Sequence, residues 1–160
     1  MTSIDLDKFD RGILAILQVD ARRSAELIGA QVGLSASAVQ RRLTRLREQA
    51  VIRAEVAVVD PKHAGRPLTV IADVEVERER PELQLRLKQW IAAEAAIQEA
   101  WYVTGEGDYV LILAVRDVQE YEALMQRLMV ENANVLRFRT RVALGTLKRG
   151  LALPMEQPVA

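Results

Sequence analysis

The spacing of apolar residues changes near Val51, from a helical repeat of about 3.6 to the strand repeat of two. A chain with both repeats, one after the other, predicts an α+β protein with a helical first part and a sheet in the second. In "DLDKFDRGILAILQVD", Leu6, Phe9, Ile13 and Leu17 share one helical face, with Asp5 available as a cap. "SAELIGAQV" predicts a second, short helix, capped by Ser24, with Leu27, Ile28 and Val32 as its apolar side. Gly33 suits the left-handed position that ends it, Leu34 is a buried anchor, and Ser35 caps the next helix. On that third helix Val39, Leu43, Leu46 and Ala50 lie on one face. Ser37, Arg41, Thr44 and Arg45 point nearly the opposite way, flanked by Gln40, Arg42 and Arg47. A short helix, a turn beginning with glycine and a second helix with a polar, basic outer face form the helix-turn-helix pattern.

Beyond Val51, "TVIADVEVE" alternates as a half-buried strand. Pro81 opens a helix bearing Leu83, Leu87, Trp90 and Ile91 on one side. Strands at "QEAWYVT" and "DYVLILAV" flank a "GEGD" hairpin connection. Asp117 and Glu120 have capping-box spacing before a helix carrying Tyr121, Leu124, Met125 and Leu128. A last strand, "LRFRTRVALGTL", completes the order β-α-β-β-α-β of a ferredoxin-like sandwich. "YVLILAV" is apolar on both faces, while two helices can cover only one side of a sheet. A second copy of the chain is the simplest cover for the other. The expected organisation is a winged or helix-turn-helix three-helix domain at 1–52, a linker with one strand at 53–68, a ferredoxin-like domain at 69–150 and a tail at 151–160.

Composition narrows the function classes. Lys plus Arg and Asp plus Glu both number 22, so the chain is neutral overall. Residues 1–50 nevertheless carry eight Lys/Arg against six Asp/Glu, and Arg41, Arg42, Arg45, Arg47 and Arg53 crowd one short stretch. Local field is what a phosphate backbone feels. There is no cysteine and a single histidine, His63, in the linker loop, which leaves no thiolate chemistry and no metal site expected. No apolar stretch reaches the roughly 20 residues of a membrane span, and "MTSIDLDKFD" is not a signal peptide. The expectation is a cytoplasmic protein that does not engage a membrane. No nucleophile–base pair argues for an enzyme.

Together, "LDKFDRGILAILQVDAR", "GLSASAVQRRLTRLREQAVI", "VDPKHAG", "VTGEGDYVLILAVRD" and "TRVALGTLK" closely resemble the Lrp/AsnC family of bacterial and archaeal transcription regulators. Several family motifs in family order make the resemblance specific, and it spans nearly the whole chain. It implies an N-terminal helix-turn-helix and a C-terminal ferredoxin-like domain that senses amino acids. Two departures stand out. Ala50 occupies a position where the family usually has glycine, and the end of the tail matches nothing diagnostic.

The resemblance, with the position of the third helix, assigns Ser37, Gln40 and Arg41 to base edges. Arg22, Arg23, Ser35, Arg42, Arg45 and Arg47 are assigned to phosphates. It further implies that the loop "TGEGDY" lines an amino-acid pocket between dimers. Thr104, Gly105, Asp108 and Tyr109 are then candidates, with Asp108 for an α-ammonium group and Thr140 joining from the last strand. Arg137, Arg139 and Arg141 read as residues that discourage edge pairing or face a partner chain. The leading expectation is a sequence-specific, effector-responsive regulator that binds double-stranded DNA as a homodimer or a higher oligomer, tetramer or octamer, with no cofactor beyond the effector. The competing one is an architectural DNA-binding protein without an effector.

Overall fold

The computed structural model describes residues 4–77 and 80–155. The chain divides into two compact units, one running up to Ala57 and joined by the chain from Lys148 onward, the other Val58–Leu147.

The first unit holds α1 (Lys8–Leu17), α2 (Ala25–Val32) and α3 (Ala36–Glu48). Ile13, Ile28, Val39 and Leu43 are its buried centre, with Ile16, Leu17, Val32, Leu34 and Ile52 packed around them. Leu27, expected on the apolar side of α2, is instead exposed. The cap of α1 is Asp7 rather than Asp5: its side chain accepts from the Phe9 and Asp10 N–H groups, and Asp10 returns the bond to the Asp7 N–H. Ser24 and Ser35 cap α2 and α3 as expected, accepting from Leu27 and Ala38 N–H. Gly33 is left-handed at φ 76°. At Gly29 an added Cβ would sit 2.4 Å from the Leu34 carbonyl oxygen, so the turn can close onto α2 only where that residue has no side chain. Helix α3 ends in a Schellman motif: Val51 N–H donates to Leu46 O and Ala50 N–H to Arg47 O. That motif needs a left-handed residue, and Ala50 takes it at φ 54°.

The strand expected within 53–68 is absent from residues 53–60, and Val56, Val58 and Val59 are exposed. An alternating segment becomes a strand only where a neighbouring edge accepts its hydrogen bonds. This stretch meets no such edge among the described residues. The tail likewise does not stand apart: Gln18 Nε2 donates to Leu153 O at 3.0 Å and Leu153 N–H donates to Gln18 Oε1 at 2.6 Å. The last five tail residues lie outside those described.

The second unit follows the predicted order: β1 (Leu68–Val76), α4 (Pro81–Ala93), β2 (Ile97–Tyr102), β3 (Tyr109–Val115), α5 (Val118–Glu131) and β4 (Val135–Val142). The strands form one antiparallel sheet, ordered β2-β3-β1-β4. Strand β4 is shorter than the pattern suggested, since Leu144 and Leu147 beyond it are fully exposed. Val70, Ala72 and Val74 of β1 and Tyr109, Leu111 and Leu113 of β3 meet Leu87 of α4 and Tyr121, Leu124, Met125 and Leu128 of α5 in the core. Asp117 caps α5 by accepting from Glu120 N–H, but Glu120 reaches back to Arg116 N–H, one residue before the cap, so the box is offset. Both helices serve one face of the sheet. Ile71, Val110, Ile112 and Trp101 occupy the other, where Trp101 is 59% exposed.

Candidate nucleic-acid interface and effector loop

Helix α3 presents its residues to three environments. Val39, Leu43 and Leu46 are buried in the unit's core. Ser37, Gln40, Arg41 and Thr44 are exposed on the outer side, and Arg41 forms no salt bridge among the described residues. Ser37 Oγ lies 3.1 Å from Ser35 Oγ, while Thr44 Oγ1 donates to Gln40 O. The third environment is the flank toward α1. There Arg42 Nη1 donates to Asp7 Oδ2 at 2.7 Å and to Asp10 Oδ1 at 2.9 Å, and Arg45 Nη2 donates to Asp10 Oδ2 at 2.6 Å. Asp10 is only 1% exposed. Burial raises the Asp7 pKa, but the Asp10 N–H, the Arg42 guanidinium and the Phe9 N–H outweigh it and hold the group below the usual carboxylate range. Arg42 shifts upward, chiefly through its hydrogen bonds to Asp7 and Asp10.

The other cations assigned to phosphates are more open. Arg22 is exposed and forms no salt bridge among the described residues, and Arg23 stands a loose 3.8 Å from Asp20. Arg47 pairs with Glu55 at 2.8 Å, with both side chains well exposed. Sequence reasoning placed Arg45 with the outer face and gave Asp10 no role. The one available signal was the spacing of Asp7 and Asp10, which suits a capping box; the burial of Asp10 is a tertiary outcome.

The hairpin loop gathers a different set. Thr104, Glu106 and Gly107 line a cavity of about 460 Å³ on the open sheet face, together with Asp73, Glu75, Arg137, Arg139 and Arg141. Each arginine there has an acid: Arg137 meets Glu75 at 2.7 Å, Arg141 meets Asp73 at 2.6 Å, and Arg139 meets Glu106 of the loop. Glu106 is held below its ordinary pKa, first by the Arg139 hydrogen bond. Glu106, Asp73 and Arg139 were not among the sequence candidates for an effector.

Of the residues that were, Thr104 and Gly105 lie in the loop, Gly105 at φ 127°. Asp108 accepts from Val76 N–H at 2.8 Å and donates its own N–H to Val74 O, so it braces the end of β1. Tyr109 points to the helix-covered side and is 3% exposed. Its hydroxyl has no partner among the described residues, and burial pushes its pKa up. Thr140 is also on that side, 2.6 Å from the Tyr121 hydroxyl, in a groove of about 810 Å³ between α5 and β4. One chain therefore does not bring Thr140 to Thr104: the register pairs Thr140 with Ala72, whose side chain faces the helices. His63 is exposed.

Comparison with known proteins follows the same division. The AsnC-type helix-turn-helix domain matches residues 6–47, and the Lrp/AsnC ligand binding domain matches residues 69–153. An uncharacterised HTH-type transcriptional regulator of Sinorhizobium fredii is 39% identical over 96% of this chain and 91% of its own length. The crystal structure of an AsnC family transcriptional regulator from Agrobacterium tumefaciens is 28% identical, with a TM-score of 0.86 over 93% of this chain and 97% of that one. The feast or famine regulatory protein from M. tuberculosis, complexed with L-methionine, is 28% identical with a TM-score of 0.80, over 91% of this chain and 96% of that one.

Proposed function

This chain belongs to the Lrp/AsnC family of transcriptional regulators, and on that premise we propose that the outer face of α3 reads DNA while the hairpin loop answers to an amino acid. Ser37, Gln40 and Arg41 reach base edges in the major groove, Arg41 favouring guanine. Arg22, Arg23, Ser35 and Arg47 hold phosphates. The observation that carries this reading is Arg41: it is the α3 arginine left exposed without an acid among the described residues. Selection of bound duplexes from genomic fragments tests it. Arg41→Ala should compress the gap between selected and random duplexes, and a variant that still discriminates fully overturns the base assignment.

For the effector, the cavity beside Thr104 offers acids and arginines together, which is the complement of a zwitterion. The M. tuberculosis relative with L-methionine supports an amino acid as the class. A second copy of the chain covers Ile71, Ile112 and Trp101 on the open face, and dimers associate further into a tetramer or octamer. Across such a contact Thr140 of one subunit can meet the loop of another. Binding then shifts assembly or DNA affinity by its differential affinity for the two states. Calorimetry and sedimentation against all twenty amino acids test this, with Asp108→Asn as the variant that keeps an acceptor for Val76 N–H. If no amino acid binds at millimolar concentration and none alters sedimentation, the protein is an architectural DNA binder.

A further inference from the structure

Of the four arginines on α3, three, Arg42, Arg45 and Arg47, are expected at phosphates, but the structure divides them. Two of them, Arg42 and Arg45, stand three residues apart and turn to the same carboxylate on α1. Asp10 has both oxygens engaged, Oδ1 by Arg42 and Oδ2 by Arg45, and Oδ2 also accepts from the Asp7 N–H at 3.2 Å. Arg42 is further held by Asp7 and lies with its guanidinium carbon 5.4 Å from the Phe9 ring centre. The Arg42 side chain is 22% exposed, and Arg45 Nε is buried with no partner among the described residues.

A carboxylate this deeply buried must be matched by cations, since leaving water unpaired is costly. Two acids against two arginines also leave this cluster with no net charge to offer a polyanion. Two attachment points on successive turns restrain the rotation of α3 about its own axis, and that rotation decides whether Ser37, Gln40 and Arg41 face the groove.

We infer that Asp10 is a positioning residue for DNA recognition, withdrawing Arg42 and Arg45 from the phosphate-binding set and using them as two struts that fix the angle of the recognition helix. The inference rests on the reading that α3 enters the major groove. It reassigns the two arginines from phosphate contacts to internal supports.

The test is the affinity of the full-length protein for a mixed-sequence duplex and for a duplex recovered by selection, each across a salt series. A phosphate contact contributes about 0.9 to the slope of log affinity against log salt. Arg42→Met and Arg45→Met should leave that slope at the wild-type value, yet reduce the selected-to-random affinity ratio, roughly tenfold for a side chain that misaligns a bidentate base contact. Asp10→Asn should reduce the ratio similarly and steepen the slope, as freed guanidiniums find phosphates. Lost stability alone would lower the active fraction and move neither slope nor ratio. A slope that falls by about 0.9 in either arginine variant makes that residue a phosphate contact and overturns the inference. Full discrimination by Asp10→Asn overturns it too. Should Asp10→Asn not fold, the arginine variants decide, because each leaves Asp10 one cation. A wild type whose affinity ignores salt removes the DNA reading of α3 itself, a result distinct from either failure.

Discussion

Strand β4 and helix α3 both carry arginines in close succession, and the two elements put them to different uses. On β4 the repeat of two sends Arg137, Arg139 and Arg141 to one face. The facing residues of β1 are Asp73 and Glu75, and the hairpin supplies Glu106, so all three arginines are paired. On α3 the helical repeat spreads the charges around the axis. Arg42 and Arg45 fall toward the acids of α1, Arg47 meets Glu55, and Arg41 is left facing outward. A strand gives its alternate residues one environment and therefore one fate. A helix divides them, and the residue that finds no acid is the one left open to a nucleic acid.

The largest expected effect sharpens this comparison by removing the turn that presents α3. Gly29→Ala drives a Cβ to 2.4 Å from the Leu34 carbonyl and should destabilise the helical unit by about 1–3 kcal/mol. Hydrogen exchange would show protection lost in residues 8–48 and kept in the sheet; equal loss in both would break the distinction. Next comes Arg41→Ala, expected to cost about 1–3 kcal/mol of discrimination between DNA sequences. Arg139→Ala on β4 should leave binding to a mixed-sequence duplex unchanged, and a shallower salt slope in that variant would mean that the strand arginines also meet DNA. Smaller, and opposite in sign, is Ala50→Gly. The residue is left-handed at φ 54°, so glycine should relieve strain and add about 1 kcal/mol to stability, measured by urea unfolding. Arg141→Ala removes an exposed pair with Asp73 and should cost no more than about 0.2–1 kcal/mol in the same experiment.

The smallest effect concerns acid. Asp7 titrates below its unfolded value in the folded chain, so it binds fewer protons when folded. Its contribution is complete above the unfolded pKa of about 3.9 and is lost as pH falls through the lower folded value. Acid should therefore loosen the α1–α3 contact only below about pH 4, and Asp7→Asn should flatten that dependence. Loosening that begins near neutrality would point to another group.

Most of the architecture was legible because it depends on local rules. The period change at Val51, the caps at Ser24, Ser35 and Asp117, and the left-handed Gly33 are properties of neighbouring residues, and the elements form where those rules predict. The resemblance carried by the family motifs is matched by the AsnC-type helix-turn-helix domain over residues 6–47 and the Lrp/AsnC ligand binding domain over residues 69–153. Where a rule needed a distant partner, the reading went astray. Residues 53–60 have a strand's alternation but meet no pairing edge among the described residues, and β4 stops at Val142 although the alternation continues. Thr140 and Thr104, expected to meet only where dimers associate, lie on opposite sides of the sheet within one chain, because the register turns Thr140 to the helix-covered side.

By itself, then, the sequence determined the order and type of the helices and of the four sheet strands, the helix-turn-helix geometry and the family. These follow from side-chain periodicity, backbone preferences and capping, which act over a few residues. Which arginines are free was decided only by tertiary structure. Arg41, Arg42 and Arg45 are chemically identical, and what separates them is whether packing α1 against α3 brings a buried carboxylate within about 3 Å, a hydrogen-bonding distance, as it does for Arg42 and Arg45 at Asp10. Charge in a sequence is a count, whereas charge available to DNA is what remains after the fold has paired its own.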